Sequence, residues 1–337
     1  MPRSDPESTP SDAARRAWQL ERPALGLALG GVQGVAGHRE RLAWAHRAEA
    51  LGLHSVWLPE MHFAPGVCPA PLVELASLAG ATTELRLGTT SLLLPLHPPE
   101  RIAAEITALD RLAGGRLLIG LGRGFQRRML EAFGVDPAEK RDRFDEALER
   151  IFSAWAAADA RGRRPGPSAR PHPPLAVAAF GPKGLAQAAR HGLPYLASPV
   201  ETTSQIEQNQ RLHRAALAPD SAPPLSLVMR TVFVGSDPDV LARARAALEA
   251  ETDGRRAALP TAVERALARP LDERAILGPP DFVREALLAL RARLGIDLLI
   301  VRPQIAGLET ADQMRSLECL AREIWPEVVS RDPTRPA

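Results

Sequence analysis

The stretch that decides the fold runs from Gly52 to Phe125. It reads GLHSVWLPEMHF over residues 52–63 and LRLGTTSLLLPLHPPERIAAEITALDRLAGGRLLIGLGRGF over residues 85–125. Three apolar, strand-like runs each end in a polar or glycine-rich cluster: Glu60-Met61-His62, Thr89-Thr90-Ser91 and Gly122-Arg123-Gly124. Strands buried on both faces read as continuous apolar runs rather than as alternation. Chemistry placed at successive strand ends, with helices between, is the layout of a (β/α)8 barrel.

The pattern continues on both sides. Further β-favouring runs occupy residues 25–29, 175–180, 195–197, 225–234 and 297–301 and, with 55–58, 85–94 and 116–121, make eight strands. Helical patterns fall between them. Residues 38–51 carry Leu42, Ala45, Ala48 and Leu51 on one stripe, and residues 141–158 carry Phe144, Leu148, Ile151, Phe152 and Trp155. Residues 98–112 begin with proline, where a missing N–H costs nothing, and are followed by Gly114-Gly115. Alternating strand and helix predicts a parallel sheet, closed as an eight-strand TIM barrel with an insertion after strand seven. One domain is expected over residues 23–330, between an N-terminal arm at 1–22, rich in Pro and Ser and expected to be disordered, and a short tail at 331–337. Two stretches exceed an ordinary connection, 159–174 and 252–278. Either is a candidate lid over the strand ends, and 252–278 reads equally as a structural insertion.

Composition narrows the function classes. The 337 residues carry a net charge of +2, so nothing electrostatic favours nucleic acid. No apolar run is long enough to span a membrane and no secretory leader is evident, so a cytoplasmic protein is expected. Cys68 and Cys319 lack metal-ligand spacing and read as free thiols, and no metal site is expected. Cations are almost all arginine: Lys140 and Lys183 are the only lysines.

The strand ends suggest the chemistry. Glu60 and His62 are a candidate acid/base or orienting pair. Thr89, Thr90 and Ser91 are small enough to let a planar ligand approach the backbone. Gly122 permits close approach to the main chain, and Arg123 offers a planar fork for phosphate or carboxylate. Strand five runs into Phe180-Gly181-Pro182-Lys183-Gly184, where a helix start with free N–H groups and a lysine suits an anion. In a barrel, strands four and five are neighbours, so Arg123 and this turn can converge on one phosphate. GLGRG lacks the spacing of a dinucleotide fingerprint, and no GxSxG elbow supports a hydrolase.

These residues carry a resemblance. The segments AEALGLHSVWLPEMHF at 48–63 and 85–125 as above, FGVD at 133–136 with RFDEAL after it, and ILGPPDFVREALLALRARLGIDLLIV at 276–301 resemble the bacterial-luciferase-like, flavin-dependent oxidoreductases. The resemblance implies a homodimeric barrel that binds reduced FMN (FMNH2), delivered by a separate NAD(P)H-dependent flavin reductase. It implies reaction of the flavin with O2 to a C4a-peroxide that oxidises a small organic substrate. It further implies a non-prolyl cis peptide matching Thr90–Ser91, and phosphate held by Arg123 and by the turn at Phe180, Gly181, Lys183 and Gly184. For the dimer contact, our own expectation is the helices at 71–81 and 98–112. Two departures stand out. The family's usual EHHF is EMHF here, with Met61 at the position of the His tied to peroxide chemistry, so Glu60 or His62 takes over that role, the reaction needs no acid/base there, or oxygen activation is weakened. The Glu, Ser and Thr usual at the phosphate turn are missing, leaving Lys183 and backbone N–H groups. Two alternatives remain: an F420-dependent hydride-transfer enzyme, with Arg127 and Arg128 serving its acidic tail, and a non-catalytic flavin- or partner-binding barrel.

Overall fold

A computed structural model describes residues 12–30, 34–63, 67–160, 172–255 and 261–331. Eight strands close the barrel: β1 (Ala24–Ala28), β2 (Ser55–Leu58), β3 (Arg86–Leu93), β4 (Leu117–Gly122), β5 (Leu175–Ala178), β6 (Tyr195–Ala197), β7 (Leu227–Val234) and β9 (Leu298–Arg302). Every ladder is parallel; β9 pairs with β1 and β7, and β6 closes onto β7. Each strand end therefore opens on one face, as expected.

The insertion at 252–278 ends in a ninth strand that the sequence reading did not show. Residues 275–278 form β8, which pairs Thr231↔Ala275 through Val234↔Gly278 along the C-terminal half of β7. Its four residues AILG are too short to give a periodic signal beside the polar segment before them. Of the stretches read as lids, arm and tail, residues 1–11, 161–171, 256–260 and 332–337 lie outside the described residues.

The described helices are α1 (Asp12–Trp18), α2 (Gly34–Ala50), α3 (Pro71–Ala81), α4 (Pro99–Leu112), α5 (Arg127–Ala132), α6 (Lys140–Ala160), α7 (Pro182–Arg190), α8 (Thr203–Ala216), α9 (Pro238–Arg255), α10 (Thr261–Leu267), α11 (Pro280–Leu294), α12 (Thr310–Cys319) and α13 (Trp325–Ser330). None is long and apolar enough to cross a membrane. Strand alternation sorts the core into two layers. Leu27, Val56, Leu87, Ile119, Val177, Val228 and Leu299 pack outward against helices, whereas Ala28, Trp57, Leu118, Ala176, Leu196, Met229 and Ile300 fill the barrel interior. Gly88 is required by that filling, because a Cβ there would stand 2.2 Å from the Trp57 ring.

The N-terminal arm is also corrected. Residues 12–20 are ordered: Trp18 and Leu20 are buried with the barrel-interior cluster, and Trp18 stacks on Trp57 with ring centroids 6.4 Å apart. Arg15 pairs with Asp297 and the Trp18 carbonyl lies 3.0 Å from His54 Nε2, which fixes the helix to the loops before β2 and β9. Seven polar and small residues hid one tryptophan that pays for the ordering.

Candidate functional site

The C-terminal end of β3 lies between two polar constellations. On the β2 side, Glu60 is 4% exposed and accepts from the Leu93 N–H at 2.7 Å, from His62 Nε2 at 2.9 Å and from His97 Nε2 at 3.0 Å. An ionised carboxylate only accepts, so both rings must carry their Nε2 proton toward it. The backbone explains the placement: the Glu60 N–H donates to Ser91 O at 3.2 Å and Met61 N–H to Cys68 O at 2.8 Å, which ties the β2 exit to β3.

The sequence reading paired Glu60 with His62 and missed His97. That residue sits in LHPPE, where two prolines announce the start of α4 and draw attention from the histidine. Its position is set by a short 3-10 turn over Leu94–Leu96, whose last N–H bond, His97 to Leu94 O, turns the ring back to β2. Around His62 stands an aromatic wall: Phe133 lies 4.7 Å and Phe63 5.9 Å from its ring, both phenylalanines are exposed, and Phe63 takes a φ of +61°. Met61 is half-buried beside this group.

At the tip of β3 the Thr90–Ser91 peptide is cis, as the resemblance implies. The ladder with β4 slips between Thr90 and Leu92. The glycines of β4 answer to this irregular tip. A Cβ on Gly120 would stand 2.2 Å from the Thr89 carbonyl, and one on Gly122 would stand 2.1 Å from Ser91 Oγ. Gly122 thus makes room for Ser91 and not for a ligand's approach to the main chain. Thr89 is corrected as well. It is fully buried and its hydroxyl donates to Gly120 O at 2.8 Å, so it offers nothing to the mouth. Thr90 and Ser91 remain half-exposed.

On the β4 side, Arg123 reaches across to the turn after β5. Its Nη1 donates to Gln187 Oε1 at 2.7 Å and its Nη2 to Ala178 O at 3.3 Å. Gly184 lies directly beneath: a Cβ there would meet Nη2 at 2.7 Å and Nη1 at 2.8 Å. Burial, and then the charge of Arg141, lower the Arg123 pKa to about 10, with Asp145 acting the other way, so the guanidinium stays charged at neutral pH. No carboxylate among the described residues pairs with it. Asp145 is taken by His191 and Arg190.

The turn itself differs from its expected form. The helix α7 begins at Pro182 rather than near 185, and both Gly184 N–H and Leu185 N–H donate to Gly181 O at 3.2 Å. Gly184 therefore does not supply a free N–H. It supplies the space in which Arg123 lies, and Gly181 supplies a φ of +73° at the N-cap. Lys183 is exposed in the first turn, and Phe180 is half-buried just before it. No cluster of metal-ligating side chains occurs among the described residues.

Comparison with known proteins agrees with this architecture. The luciferase-like monooxygenase family model matches residues 25–298. The uncharacterized protein y4wF of Sinorhizobium fredii is 36% identical over 46% of the chain and 49% of its own length. The oxygenase component of a flavin-dependent trigonelline monooxygenase from Acinetobacter baylyi is 29% identical over 43% of the chain and 44% of its own length. The chain thus spans about half the length of the curated relatives it matches. The crystal structure of monooxygenase RslO1 from Streptomyces bottropensis superposes with a TM-score of 0.76 at 26% identity, covering 90% of this chain and 99% of that one. With a parallel barrel whose strand ends gather these residues, and a family match that covers most of its length, the chain belongs to the luciferase-like monooxygenase family.

Proposed function

We propose that the chain is an FMNH2-dependent monooxygenase. A separate NAD(P)H-dependent flavin reductase would deliver the reduced cofactor, and O2 and a small organic substrate would meet it at the barrel mouth. One observation carries this reading. A charged arginine with no carboxylate partner among the described residues lies over a glycine on one side of the β3 tip, and a buried carboxylate holds two imidazoles on the other. A phosphate would give Arg123 the anion it lacks, in a geometry suited to a forked contact. A flat ring would lie over Thr90 and Ser91, between the two groups.

Bound reduced flavin would supply the electrons for O2 chemistry. The protein's part would be to position, to shield and to manage protons. Glu60 would hold His62 and His97 in place through their Nε2 atoms, so that these rings give or take a proton at the mouth. Met61 has no proton to transfer, so that task falls to these two rings. Phe63 and Phe133 would exclude water beside them. We further propose a cytoplasmic homodimer with α3 and α4 at its contact, where Val73 and Leu112 are 71% and 73% exposed.

The F420 alternative finds less support, because Arg127 bonds back to Glu131 at 3.2 Å instead of standing ready for an acidic tail. Anaerobic titration with FMNH2 and with reduced F420, followed by oxygen-electrode and peroxide assays, tests the proposal. Selective retention of FMNH2, with O2 consumption coupled to substrate oxidation, is the expected result. Preference for F420, or complete return of O2 as hydrogen peroxide with every substrate, contradicts it.

A further inference from the structure

Strand β7 changes partners part-way along. Its residues Leu227 and Val228 pair with Leu196 and Ala197 of β6, and Thr231 through Val234 pair with Ala275 through Gly278 of β8. On that edge Met229 and Arg230 lie between the two ladders. Met229 joins the barrel interior. Arg230 shares the parity of Val228 and Val232, which pack outward, so it belongs to the outer wall of the barrel and not to the β3 mouth.

Arg230 is 1% exposed. Its Nη1 donates to the Glu201 carbonyl at 2.8 Å. Its Nε and Nη2 are buried and have no hydrogen-bond partner among the described residues. These two N–H groups share one edge of the guanidinium, the edge that matches both oxygens of a carboxylate. Burial lowers the pKa to about 10, with Glu201 and Tyr195 acting the other way, so the group is charged at neutral pH. Unmet buried donors of this kind cost about 1–3 kcal/mol each.

A cavity of about 220 Å³ adjoins this arginine, well above the roughly 10–15 Å³ that admits one water. Thr203 of α8, Ala275 and Ile276 of β8, and Ala286, Ala289 and Leu290 of α11 form much of its wall. The charged groups on the wall are Arg230, Arg274 and Arg293 with Asp272 and Glu273. Both acids are engaged by arginines from outside it, Asp272 by Arg245 at 2.6 Å and Glu273 by Arg269 at 2.7 Å. Arg293 is held by Glu207 at 2.6 Å. The Glu201 carboxylate is occupied by the Tyr195 hydroxyl, the Ser198 N–H and Asn209. Arg230 is thus a buried charge on this wall with no ion-pair partner among the described residues. The Asp272 and Arg293 side chains are 70% and 45% exposed, which places the entrance on their side.

We infer that this cavity is a binding site for a small aliphatic carboxylate, separate from the flavin site. Its carboxylate would take the Nε and Nη2 edge of Arg230, and its chain would lie against Ala286, Ala289 and Leu290. The apolar face of α11 favours an organic anion over a bare inorganic one, which would bury its charge against methyl groups.

Isothermal titration of the full chain with hexanoate, hexanol and inorganic phosphate tests the site. Hexanoate should bind at one per chain, with hexanol and phosphate at least tenfold weaker. Arg230→Gln should weaken hexanoate at least tenfold. Because that variant also loses the bond to Glu201, Ala289→Trp provides a second reading: it fills the cavity from an exposed helix position, so hexanoate should weaken at least tenfold while Tm holds. Arg123→Ala should leave hexanoate binding within about twofold, which separates this site from the barrel mouth. No binding up to about 10 mM hexanoate, equal binding of hexanol, tighter binding of phosphate, an unaffected Ala289→Trp variant, or loss of binding in Arg123→Ala would each overturn the inference.

Discussion

Replacing Gly184 by alanine isolates the part of the site that rests on Arg123. The added Cβ would stand 2.7 Å from Nη2 and 2.8 Å from Nη1, and 3.1 Å from the Ala179 Cβ. The nearest atoms are the far end of a flexible side chain, so the guanidinium swings away while the backbone stays. Arg123 then loses its bond to Gln187, worth about 1.5–3 kcal/mol for a charged donor. Against this, Gly to Ala in the first turn of a helix recovers about 0.5–1 kcal/mol. The net loss of stability should be about 0.5–2.5 kcal/mol, a drop of a few degrees in Tm. Phosphate binding has no such compensation. Losing a forked, charge-assisted contact costs about 1.5–3 kcal/mol, or roughly 10- to 150-fold in affinity. Thermal melting together with flavin-fluorescence titrations of FMN and riboflavin reads both quantities. FMN affinity should fall while riboflavin affinity holds and Tm drops by no more than a few degrees. A collapse of stability by more than about 3 kcal/mol, or undiminished FMN binding, would refute the reasoning.

Three further outcomes follow from the same geometry. Glu60→Gln keeps the shape but removes the charge that orients two rings, so coupled turnover should fall by two orders of magnitude or more in an oxygen-electrode assay, with FMN affinity nearly unchanged. Trp18→Ala should cost about 3–5 kcal/mol in urea denaturation, because the ring fills the barrel floor against Trp57. Glu201, wholly buried after β6, has its pKa raised to about 7 by burial, partly offset by bonds from Tyr195, Ser198 N–H and Asn209. Its folded pKa lies above the unfolded one, so its contribution is complete below about pH 4.5 and is lost as pH rises through 7. The loss is roughly 3 kcal/mol, and Glu201→Gln should flatten that part of the pH–stability curve measured by denaturant melts.

What could be read from the residues alone follows physical lines. Long apolar runs declared the eight barrel strands, and strand order in a barrel brought Arg123 to the turn after β5 without coordinates. Glu60 and His62 were legible because they share one strand end. His97 was not, since its approach to Glu60 depends on a 3-10 turn of three residues that no periodicity announces. Glycines misled in a consistent way. Gly122 was read as an opening for a ligand and Gly184 as part of a turn offering free N–H groups, and both make room for the protein's own atoms, Ser91 Oγ and the Arg123 guanidinium. Thr89 was taken with its neighbours, although strand alternation turns it away from Thr90. The helix over 12–18 escaped because its composition is polar and a single buried tryptophan decides its fate.

The central claim is that one mouth holds a flat ring over the β3 tip and its anionic tail on Arg123. A crystal structure of the chain with FMN tests it most directly. Flavin density beside Thr90 and Ser91, with its phosphate within hydrogen-bonding distance of Arg123, is the predicted result. Flavin bound elsewhere, or an Arg123 left without phosphate while the ring is seated, would contradict the account.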